Sequence, residues 1–516
     1  MRLPGADLAR LDASVRAPSS GAHLRTEGIR LPRTEPASRR SIGAVVLAAG
    51  KGKRMKSATA KVLHDVCGRP SLWHVLQAAR AARPATLAIV VGFERREVEE
   101  AVRSWAITPE PVFVEQRGPT GTGHAVLEAE GAVRSTDDVL VLAGDDPHIG
   151  PDHVRALLRA HRRGKTAATI LTTMLDDPTG FGRVIRRGDE LVAIVEEAEA
   201  SAEVRRIREV STLVYAFRRE DLFKALPLVG RDNRQHEYYL PDVLSILRQK
   251  GESVGAVLVD VGGSLSINSR AGLAKVVRIM RERIVEAHLR NGVTFADPST
   301  AYVDVDVRIG SDSVILPMTF LEGRTRIGVG CRVGPATRVI DSTVGEGAEI
   351  TFSVVRGSRI GPRASVGPYA SLRPGTVIEE GSKAGTFVEI KASRVGRGSK
   401  VPHLSYVGDA IIGEGVNLGA GTVTVNYDGF EKHRTVVGDG AHIGSDTMLV
   451  APVKVGKRAW TGAGSTITRD VPAGALAVER SEQRMVPGYD ERQRAARAKG
   501  RSDEKQPRRR GSRGRS

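Results

Sequence analysis

The sequence of 516 residues has few cysteines, few aromatic side chains and no long hydrophobic run. The two cysteines, Cys67 and Cys331, lie far apart, which predicts reduced, packed thiols of a cytosolic protein and not a disulfide framework. The apolar runs are too short for a membrane-spanning helix, and neither terminus has the apolar core of a signal peptide. We therefore expect a cytoplasmic protein.

Most of the net charge of +18 lies at the two ends. Residues 1–41 carry +4 and residues 491–516 carry +8, which leaves +6 for the rest of the chain. The basic tail, with three arginines at 508–510, has almost no apolar residues and predicts disorder. The tail is expected to be solvated, and the alternative is that it binds RNA or an acidic surface. We expect no nucleic-acid binding by the rest of the chain. The modest central excess suits ligands that carry phosphate.

Glycine is abundant, with 57 residues, and in the last third of the chain it follows an aliphatic residue at regular steps. Three steps are six residues long: from Ile327-Gly328 to Val333-Gly334, from Ile360-Gly361 to Val366-Gly367, and from Ile412-Gly413 to Leu418-Gly419. The fourth, from Ile443-Gly444 to Val455-Gly456, is twelve residues long. A six-residue step with one inward aliphatic residue predicts a solenoid with three flat faces.

Before the repeats, short apolar segments alternate with helical patterns, which predicts a mostly parallel sheet with helices on both faces. The predicted strands lie at 42–47, 87–91, 112–114, 139–142 and 167–172. The predicted organisation is a disordered leader at 1–41, an α/β domain at 42–270, a linking helix at 271–293, the solenoid at 294–480 and a disordered basic tail at 481–516.

Two features of the α/β domain indicate a phosphate site. The glycines within 50–52 let the backbone approach a ligand, and Arg54 and Lys61 add cations, although a tight turn with surface lysines has the same pattern. Asp145 follows the strand predicted at 139–142, at the edge where open α/β sheets bind ligands. A carboxylate beside phosphates favours Mg²⁺, and an ordinary turn residue is the alternative for Asp145.

Further motifs are LAAGKGKRM at 47–55, KVLH at 61–64, GTGHA at 121–125, GD at 144–145, DDPTGFGR at 176–183, VE at 195–196 and EYY at 237–239. Together, residues 42–480 resemble the bifunctional bacterial family of UDP-N-acetylglucosamine pyrophosphorylase / glucosamine-1-phosphate N-acetyltransferase. The resemblance implies a Rossmann-like nucleotidyltransferase domain followed by a left-handed parallel β-helix of hexapeptide repeats. It also implies acetyl transfer from acetyl-CoA to glucosamine 1-phosphate, then Mg²⁺-dependent uridylyl transfer from UTP to N-acetylglucosamine 1-phosphate, which feeds cell-wall synthesis.

In the first domain, the resemblance assigns uracil binding to Leu47, Ala48, Ala49, Gly50 and Gln116, and a nucleotide contact to Lys61. It places the rest of the nucleotide-sugar pocket at Gly121, Thr122, Gly182, Glu196, Ser211 and Asn268. Asp145 and Asn268 are the implied Mg²⁺ ligands. Arg54 and Lys61 are expected to neutralise charge as the sugar phosphate attacks the α-phosphorus of UTP.

Within the repeats, the segments 373–375, 385–391, 400–409 and 426–429 break the six-residue step and gather ionisable groups that a purely structural solenoid does not need. By resemblance, His403 is the general base that takes a proton from the sugar amine, and Glu389 orients it. The implied acceptor site is Arg373, Lys391, Tyr406, Asn417 and Lys432. The residues implied to face acetyl-CoA are Asn426, Tyr427, Ser445, Ala463 and Arg480.

Sites of this kind lie between neighbouring prisms in the family, so the resemblance implies a homotrimer. Exposed, aliphatic-lined solenoid faces favour the same packing against copies. The other expected partners are small-molecule substrates.

The chain departs from the family pattern beside the sugar. Where the family usually has Asn-x-Gly, this chain has Ser211-Thr212-Leu213, and residues 197–199 replace a usual Lys-Asp ending. The expected Asn bonds to the sugar and the Gly leaves room, so we hypothesise that uridylyl transfer is weakened or its sugar preference shifted. An enzyme with acetyltransferase activity alone is therefore the main alternative.

Two further alternatives remain open at this point. A regulatory binding protein built on an inactive nucleotidyltransferase would not need Asp145, Asn268 and His403. A related nucleotidyltransferase for glucose or mannose, with a regulatory solenoid, would need neither His403 nor the Asn426-Tyr427 pair.

Overall fold

The computed structural model describes residues 40–504 apart from residues 119, 189 and 263–266. Residues 1–39 of the predicted leader and residues 505–516 of the predicted tail lie outside the described residues. Within the described ranges, no helix has the length and apolar character that a membrane span requires.

The first part of the described chain is an α/β unit. Its strands are β1 Ile42–Ala48, β2 Asp65–Val66, β3 Arg69–Pro70, β4 Thr86–Val91, β5 Val112–Glu115, β6 Asp138–Ala143, β7 Ala168–Met174, β8 Arg183–Arg187, β9 Glu190–Val195, β10 Glu209–Arg218 and β11 Val254–Leu258. Its helices are α1 Ser71–Arg80, α2 Arg95–Ser104, α3 Thr122–Glu128, α4 Glu130–Val133, α5 Pro151–Gly164, α6 Arg219–Ala225 and α7 Asp242–Gln249. Short 3₁₀ helices lie at Lys53–Met55, Lys61–Leu63, Val204–Arg206 and Leu226–Leu228.

Nine of these strands form one sheet in the order β11-β7-β10-β6-β1-β4-β5, with the β8-β9 hairpin paired to β10. The pairs of β1 with β4 and β6, of β4 with β5, and of β7 with β11 are parallel. Only β10 runs antiparallel to its neighbours β6 and β7 within the main order. The expectation of a mostly parallel sheet is confirmed, and all five predicted strands form within one or two residues of their predicted ends.

The apolar run of β1 is buried on both faces of the sheet. Ala44 and Val46 belong to a core that α1 and α5 cover, whereas Val45 belongs to a second core with residues of α3, α6 and α7. A strand with helices on both faces has no solvent side, which is why β1 reads as continuous hydrophobic sequence. This burial fixes the carboxyl end of β1, where the glycine-rich loop begins.

A 21-residue helix, α8 at Arg270–Arg290, follows the α/β unit. It starts at an N-cap, where the Ser269 hydroxyl accepts a hydrogen bond from Gly272 N at 3.1 Å. Val276 is buried in a cluster with Met55 and Cys67 of the α/β unit, and Val285 is buried in the core of the repeats. The predicted linking helix therefore exists and packs on both parts, while the exact domain boundaries remain a prediction.

The repeats fold into three parallel sheets of 11, 10 and 9 strands, which are the three faces of a β-helix. Face one contains Thr294–Phe295, Val314–Ile315, Arg332–Val333, Glu349–Ile350, Ser365–Val366, Lys383–Thr386, Lys400–His403, Asn417–Leu418, His442–Ile443, Trp460–Thr461 and Leu476–Ala477. Face two contains Tyr302–Val303, Phe320–Glu322, Arg338–Ile340, Val354–Arg356, Ser371–Leu372, Glu389–Lys391, Tyr406–Gly408, Val423–Val425, Met448–Val450 and Thr466–Ile467. Face three contains Arg308–Ile309, Arg326–Ile327, Thr343–Val344, Arg359–Ile360, Val377–Ile378, Arg394–Val395, Ala410–Ile412, Thr435–Val437 and Val453–Val455, and a 3₁₀ turn at Pro298–Thr300 lies before the first full coil.

One inward aliphatic residue per strand stacks on its copy in the next coil. On face one, Ile315 pairs in register with Val333 and Val333 pairs with Ile350, and all three side chains are buried. The step from Leu418 to Ile443 is longer, because the additional residues form a loop at 426–434 between faces two and three. The interruption of the six-residue pattern at Asn426 is this loop.

A final helix, α9 at Tyr489–Glu504, forms where the sequence predicts a disordered tail. The segment is rich in alanine, arginine and glutamate, which have high helix propensity. Arg494 pairs with Asp490 one turn earlier at 2.7 Å, and Asp490 and Glu491 stand in the first turn, where negative charge is favoured. Local propensity thus outweighs the lack of apolar residues here.

Candidate active sites

A cavity of about 680 Å³, the first cavity, opens at the carboxyl ends of β1 and β6. Nine residues assigned to the nucleotide, the sugar or the metal line it: Leu47, Ala49, Gly50, Lys61, Gln116, Gly121, Thr122, Asp145 and Asn268. Five further residues line it, of which the sequence analysis named Leu213 as a departure from the family pattern and included Lys51 and Glu237 in motifs, but did not identify Glu115 and Arg117. Glu115 ends β5 and Arg117 follows it, and no local pattern indicates that this segment reaches the cavity.

Two glycines of this cavity, Gly121 and Gly50, matter because they lack a side chain. A Cβ at Gly121, whose φ is +106°, would lie 2.5 Å from the carbonyl oxygen of Tyr238. Gln116 donates from Nε2 to the carbonyl oxygen of Gly121 at 3.0 Å. A Cβ at Gly50 would meet open space, so the loop after β1 presents bare backbone to the cavity.

Lys61, Asp145 and Asn268 meet at one point of the cavity. The ammonium of Lys61 lies 2.6 Å from Oδ2 of Asp145 and 3.2 Å from Oδ1 of Asn268. A cation thus already contacts the two oxygens that the resemblance assigns to Mg²⁺, and a carboxylate with an amide oxygen is a suitable hard donor pair. No cluster of three His, Cys, Asp or Glu side chains suited to a metal occurs in the described ranges. Two protein ligands with substrate phosphates therefore fit this site better than a cage made of protein alone.

The remaining sugar-side residues gather next to the first cavity and do not line it. Ser211 N donates to the carbonyl oxygen of Gly182 at 2.9 Å, and a Cβ at Gly182 would lie 3.1 Å from Oε1 of Glu196. Glu196 lines a separate cavity of about 310 Å³ together with Tyr239 and Asp242. Burial, followed by the nearby charge of Asp242, raises the pKa of the Glu196 carboxyl.

Leu213 occupies an unusual backbone position in β10. Its φ is +55°, in a bulge where the register of β10 with β7 shifts between Ser211 and Tyr215. The Ser211 hydroxyl accepts from Leu213 N at 3.2 Å and lies 3.3 Å from the Tyr215 hydroxyl. A glycine adopts this conformation without the strain that a leucine incurs. The departure from Asn-x-Gly therefore places a leucine side chain in the wall of the first cavity.

Ala48 is buried and Arg54 is exposed, and neither lines the first cavity. Arg54 lies in the 3₁₀ turn Lys53–Met55, immediately after the glycine loop. Its role as a cation for the substrate stays a prediction.

The second group of candidate residues lies along one edge of the β-helix, between faces one and two. Backbone hydrogen bonds join successive coils there: Leu404 N to Thr386 O, Gly421 N to His403 O, Asp446 N to Ala420 O and Gly464 N to Ser445 O. His403 is exposed at this edge, at the end of its face-one strand. Ser445 and Ala463 follow it along the same edge, and Arg480 donates from Nη1 to the Ala463 carbonyl oxygen at 3.0 Å.

Face two brings the acceptor residues together beside this edge. Arg373 pairs with Glu389 at 3.0 Å, and Glu389 pairs in register with Tyr406 on the next coil. A Cβ at Gly408 would lie 2.5 Å from the Tyr406 hydroxyl and 2.7 Å from Nδ2 of Asn426. In the described chain, the side-chain bond of Glu389 goes to Arg373, so its orienting role toward His403 stays a prediction.

The loop at 426–434 adds the last candidates. Tyr427 pairs with Lys432 in an isolated antiparallel bridge, and Asp428 pairs with His433 at 2.7 Å. The nearby Lys391 lowers the pKa of the Lys432 ammonium. On face one, Asn417 pairs in register with Lys400. Asp409, which accepts bonds from Lys391 and Asn426, was missed by the sequence analysis.

Comparison with known proteins decides the family. Residues 44–214 match a MobA-like NTP transferase domain. The bifunctional protein GlmU of Carboxydothermus hydrogenoformans is 47% identical over 441 residues, covering 85% of this chain and 98% of that protein. The bifunctional protein GlmU of Streptomyces avermitilis is 47% identical over 462 residues, covering 88% and 95%. The chain belongs to the GlmU family.

Family membership confirms the resemblance found in the sequence and, with it, a bifunctional enzyme of UDP-N-acetylglucosamine synthesis with nucleotidyltransferase and acyltransferase activities. It favours this interpretation over an acetyltransferase alone, a scaffold or a nucleotidyltransferase with a regulatory solenoid. Among solved structures, a UDP-glucose pyrophosphorylase complexed with UDP-glucose covers 47% of this chain and 99% of its own, with 17% identity and a TM-score of 0.41. The residues of this GlmU-family chain that depart from the pattern, Ser211 and Leu213, therefore bear on how well the first site works.

Leu213→Gly should improve the uridylyl half-reaction with N-acetylglucosamine 1-phosphate. Removing the side chain widens the first cavity, which Gly121 and Thr122 also line, and glycine accepts the positive φ at this position. We expect kcat/KM for this sugar phosphate to rise about 10-fold, the lower end of what one apolar group contributes in a pocket. Release of pyrophosphate from UTP measures it.

Arg83→Gly is the matched control, because Arg83 also has a positive φ, +51°, and lies outside the first cavity. An equal gain in both variants would mean that backbone relief, and not cavity width, is responsible. No gain in Leu213→Gly would refute the hypothesis.

Proposed function

We propose that the chain makes UDP-N-acetylglucosamine at two separate sites. At the β-helix edge, acetyl-CoA acetylates the amine of glucosamine 1-phosphate. In the first cavity, the product reacts with UTP to give UDP-N-acetylglucosamine and pyrophosphate. The observation that carries this proposal is the presence of both clusters in one chain: an ammonium, a carboxylate and an amide within 3.2 Å in the cavity, and an exposed imidazole on the edge.

In the first cavity, the backbone of 47–50 and the amide of Gln116 hold the uracil. Lys61 contacts the triphosphate, and Arg54 approaches it from the loop. Asp145 and Asn268 would hold Mg²⁺, which supplies positive charge that neutralises the phosphates when it is bound. The sugar phosphate then attacks the α-phosphorus in line, and the chain's own contribution is alignment and charge.

At the edge, the amine nitrogen of glucosamine 1-phosphate attacks the thioester carbonyl of acetyl-CoA, and His403 removes a proton from that amine. The carbon–sulfur bond breaks, and the proton can pass from the imidazole to the departing thiolate. Imidazole suits this exchange because it accepts and returns protons near neutral pH. Arg373, Lys391 and Lys432 hold the sugar phosphate, with Tyr406 and Asn417 at the sugar. Acetyl-CoA lies against Asn426, Tyr427, Ser445, Ala463 and Arg480.

The same edge supports the proposal of a homotrimer. Up to and including the coil of His403, it carries a row of large exposed side chains, one per coil, which we call the apolar ridge: Phe352, Tyr369, Phe387 and Leu404. The rings of Tyr369 and Phe387 stack with their centroids 5.3 Å apart, and the Phe352 ring is tilted against Tyr369 at 5.6 Å. Side chains of this size, 38 to 63% exposed, favour contact with another copy. A copy packed on the ridge would lie beside His403, so the second site would be shared between subunits.

A cytoplasmic location is part of this proposal. Both Cys67 and Cys331 are free and buried. Burial raises the pKa of the Cys67 thiol to about 12, so a reactive thiolate is disfavoured. Inert thiols of this kind fit a reducing compartment.

His403→Ala should abolish acetyl transfer and leave uridylyl transfer within about twofold of the parent. The imidazole is exposed, so its removal creates no cavity in the core. A loss of about 100-fold or more is expected for a general base. Thiol release from acetyl-CoA and pyrophosphate release from UTP, measured on the same sample, decide the matter, and parallel loss of both activities would disprove two independent sites.

Asp145→Asn should give the reverse result. It removes the carboxylate from the Lys61–Asn268 cluster, so uridylyl transfer should fall about 100-fold and need more Mg²⁺, while acetyl transfer stays unchanged. Asp439→Asn, at a carboxylate that pairs with Lys457 on a different turn of the β-helix, serves as a control for both variants. Unchanged uridylyl transfer in Asp145→Asn would rule out the proposed metal site.

Phe387→Asp should convert a trimer into monomers, because it puts a charge in the middle of the apolar ridge. Acetyl transfer should fall at least 10-fold with the loss of trimer, and uridylyl transfer should persist. Val329→Asp, at a 46% exposed side chain on a different edge, is the control. Sedimentation of both proteins measures the outcome, and a parent that is monomeric throughout would refute the trimer.

A further inference from the structure

Asp409 stands at the turn after the face-two strand Tyr406–Gly408. Its φ is +51°, and its backbone N–H donates to the carbonyl oxygen of Lys391 on the preceding coil at 3.0 Å. Aspartate and asparagine adopt this left-handed conformation more readily than other residues with side chains. The sequence analysis includes this residue only as the end of the segment 400–409, and no role above is assigned to it.

One oxygen of Asp409 contacts two functional side chains. Oδ2 accepts from the Lys391 ammonium at 3.2 Å and from Nδ2 of Asn426 at 2.5 Å. The Asn426 side chain is mostly buried, at 8% exposure for the residue, so this bond holds its amide in one orientation. Lys391 belongs to the proposed sugar-phosphate site and Asn426 to the proposed acetyl-CoA site. The carboxylate therefore connects the two substrates' binding groups.

Asp409 also offsets crowded positive charge. The charges of Lys391 and Arg373 both act on the Lys432 ammonium and lower its pKa. The charge of Asp409 acts in the opposite direction. Two ammonium groups that stay charged and adjacent can together hold one phosphate dianion. A carboxylate that contacts one of them allows this arrangement to exist before the phosphate arrives.

We propose that Asp409 is a positioning residue of the acetyltransferase site, which orients Asn426 and holds the Lys391–Lys432 pair ready for the sugar phosphate. This inference rests on the proposed function of that site. Asp409 acts through these neighbours, and no contact with the reacting atoms is assigned to it. The two roles of its carboxylate can be tested separately, because orienting Asn426 needs only an acceptor oxygen, whereas holding the two lysines needs a negative charge.

Asp409→Asn separates them. An asparagine keeps the side-chain volume, tolerates the positive φ and can still accept from Asn426, but it leaves the two ammonium groups without a countercharge. We expect KM for glucosamine 1-phosphate to rise about 10-fold, the effect of losing one charge-assisted contact, with KM for acetyl-CoA within about twofold. Asp409→Ala removes both the acceptor oxygen and the negative charge, so both KM values should rise and kcat should fall.

The pH profile gives a second readout. Without the carboxylate, Lys391 and Arg373 lower the pKa of Lys432 further, so Lys432 loses its proton at a lower pH. The alkaline rise in KM for glucosamine 1-phosphate should therefore begin at a lower pH in Asp409→Asn than in the parent. A purely structural defect would not shift the alkaline rise in KM for one substrate alone.

Asp439→Asn is the matched control, because Asp439 is also a β-helix turn carboxylate, which accepts from Glu414 N at 3.0 Å and pairs with Lys457 at 2.9 Å. It should leave both KM values and the pH profile unchanged. Equal changes for both substrates in Asp409→Asn, or none, would overturn the inference while leaving the proposed function in place. A parent without acetyl transfer would overturn both.

Discussion

The stacking of one buried aliphatic side chain per face in each coil is the constraint on which the second site depends. Because Ile315, Val333 and Ile350 pair in register, every position of a coil is carried directly onto its counterpart in the next. Residues far apart in sequence thus align along an edge, with Thr386 beside His403 in register. The chain needs no long-range loop to bring His403 near Ser445, since the solenoid repeat does this.

The same constraint gives the edge its two kinds of surface. The corner position after most face-one strands has a positive φ, which costs about 1–3 kcal/mol for most side chains. Phe387 and Leu404 occupy it before the proposed acetyl-CoA residues, and Gly421, Asp446 and Gly464 occupy it among them. Bulky residues at a strained position need a compensating contact, which supports a role in subunit packing. Glycines there leave the edge open, as a ligand surface requires.

The sequence predicted both folds because each rests on local periodicity: a buried parallel strand reads as a continuous apolar run, and a β-helix reads as a six-residue step. The family resemblance assigned Lys61, Asp145 and Asn268 to one site, and the Lys61 ammonium lies within hydrogen-bonding distance of the other two side chains, while the roles of all three stay predictions. The sequence could not reveal Asp409, whose importance comes from contacts across two coil-to-coil steps. It identified Leu213 as a departure from the family, but the positive φ that makes a leucine costly there depends on a bulge in β10.

The two active sites are chemically separate, yet they share a scaffold. Asn268 comes just before α8, and Ile267 N donates to the carbonyl oxygen of Asp145 at 3.1 Å, which fixes the distance between the proposed metal ligands. The helix that follows is buried against the α/β unit at Val276 and against the β-helix at Val285. The β-helix therefore supports the element that positions Asn268. A substitution at an exposed edge residue of the β-helix does not alter the packing of α8. A substitution that displaces α8 would disturb the nucleotide site from a distance. Mechanical support of this kind gives a physical reason for two reactions to be carried on one chain.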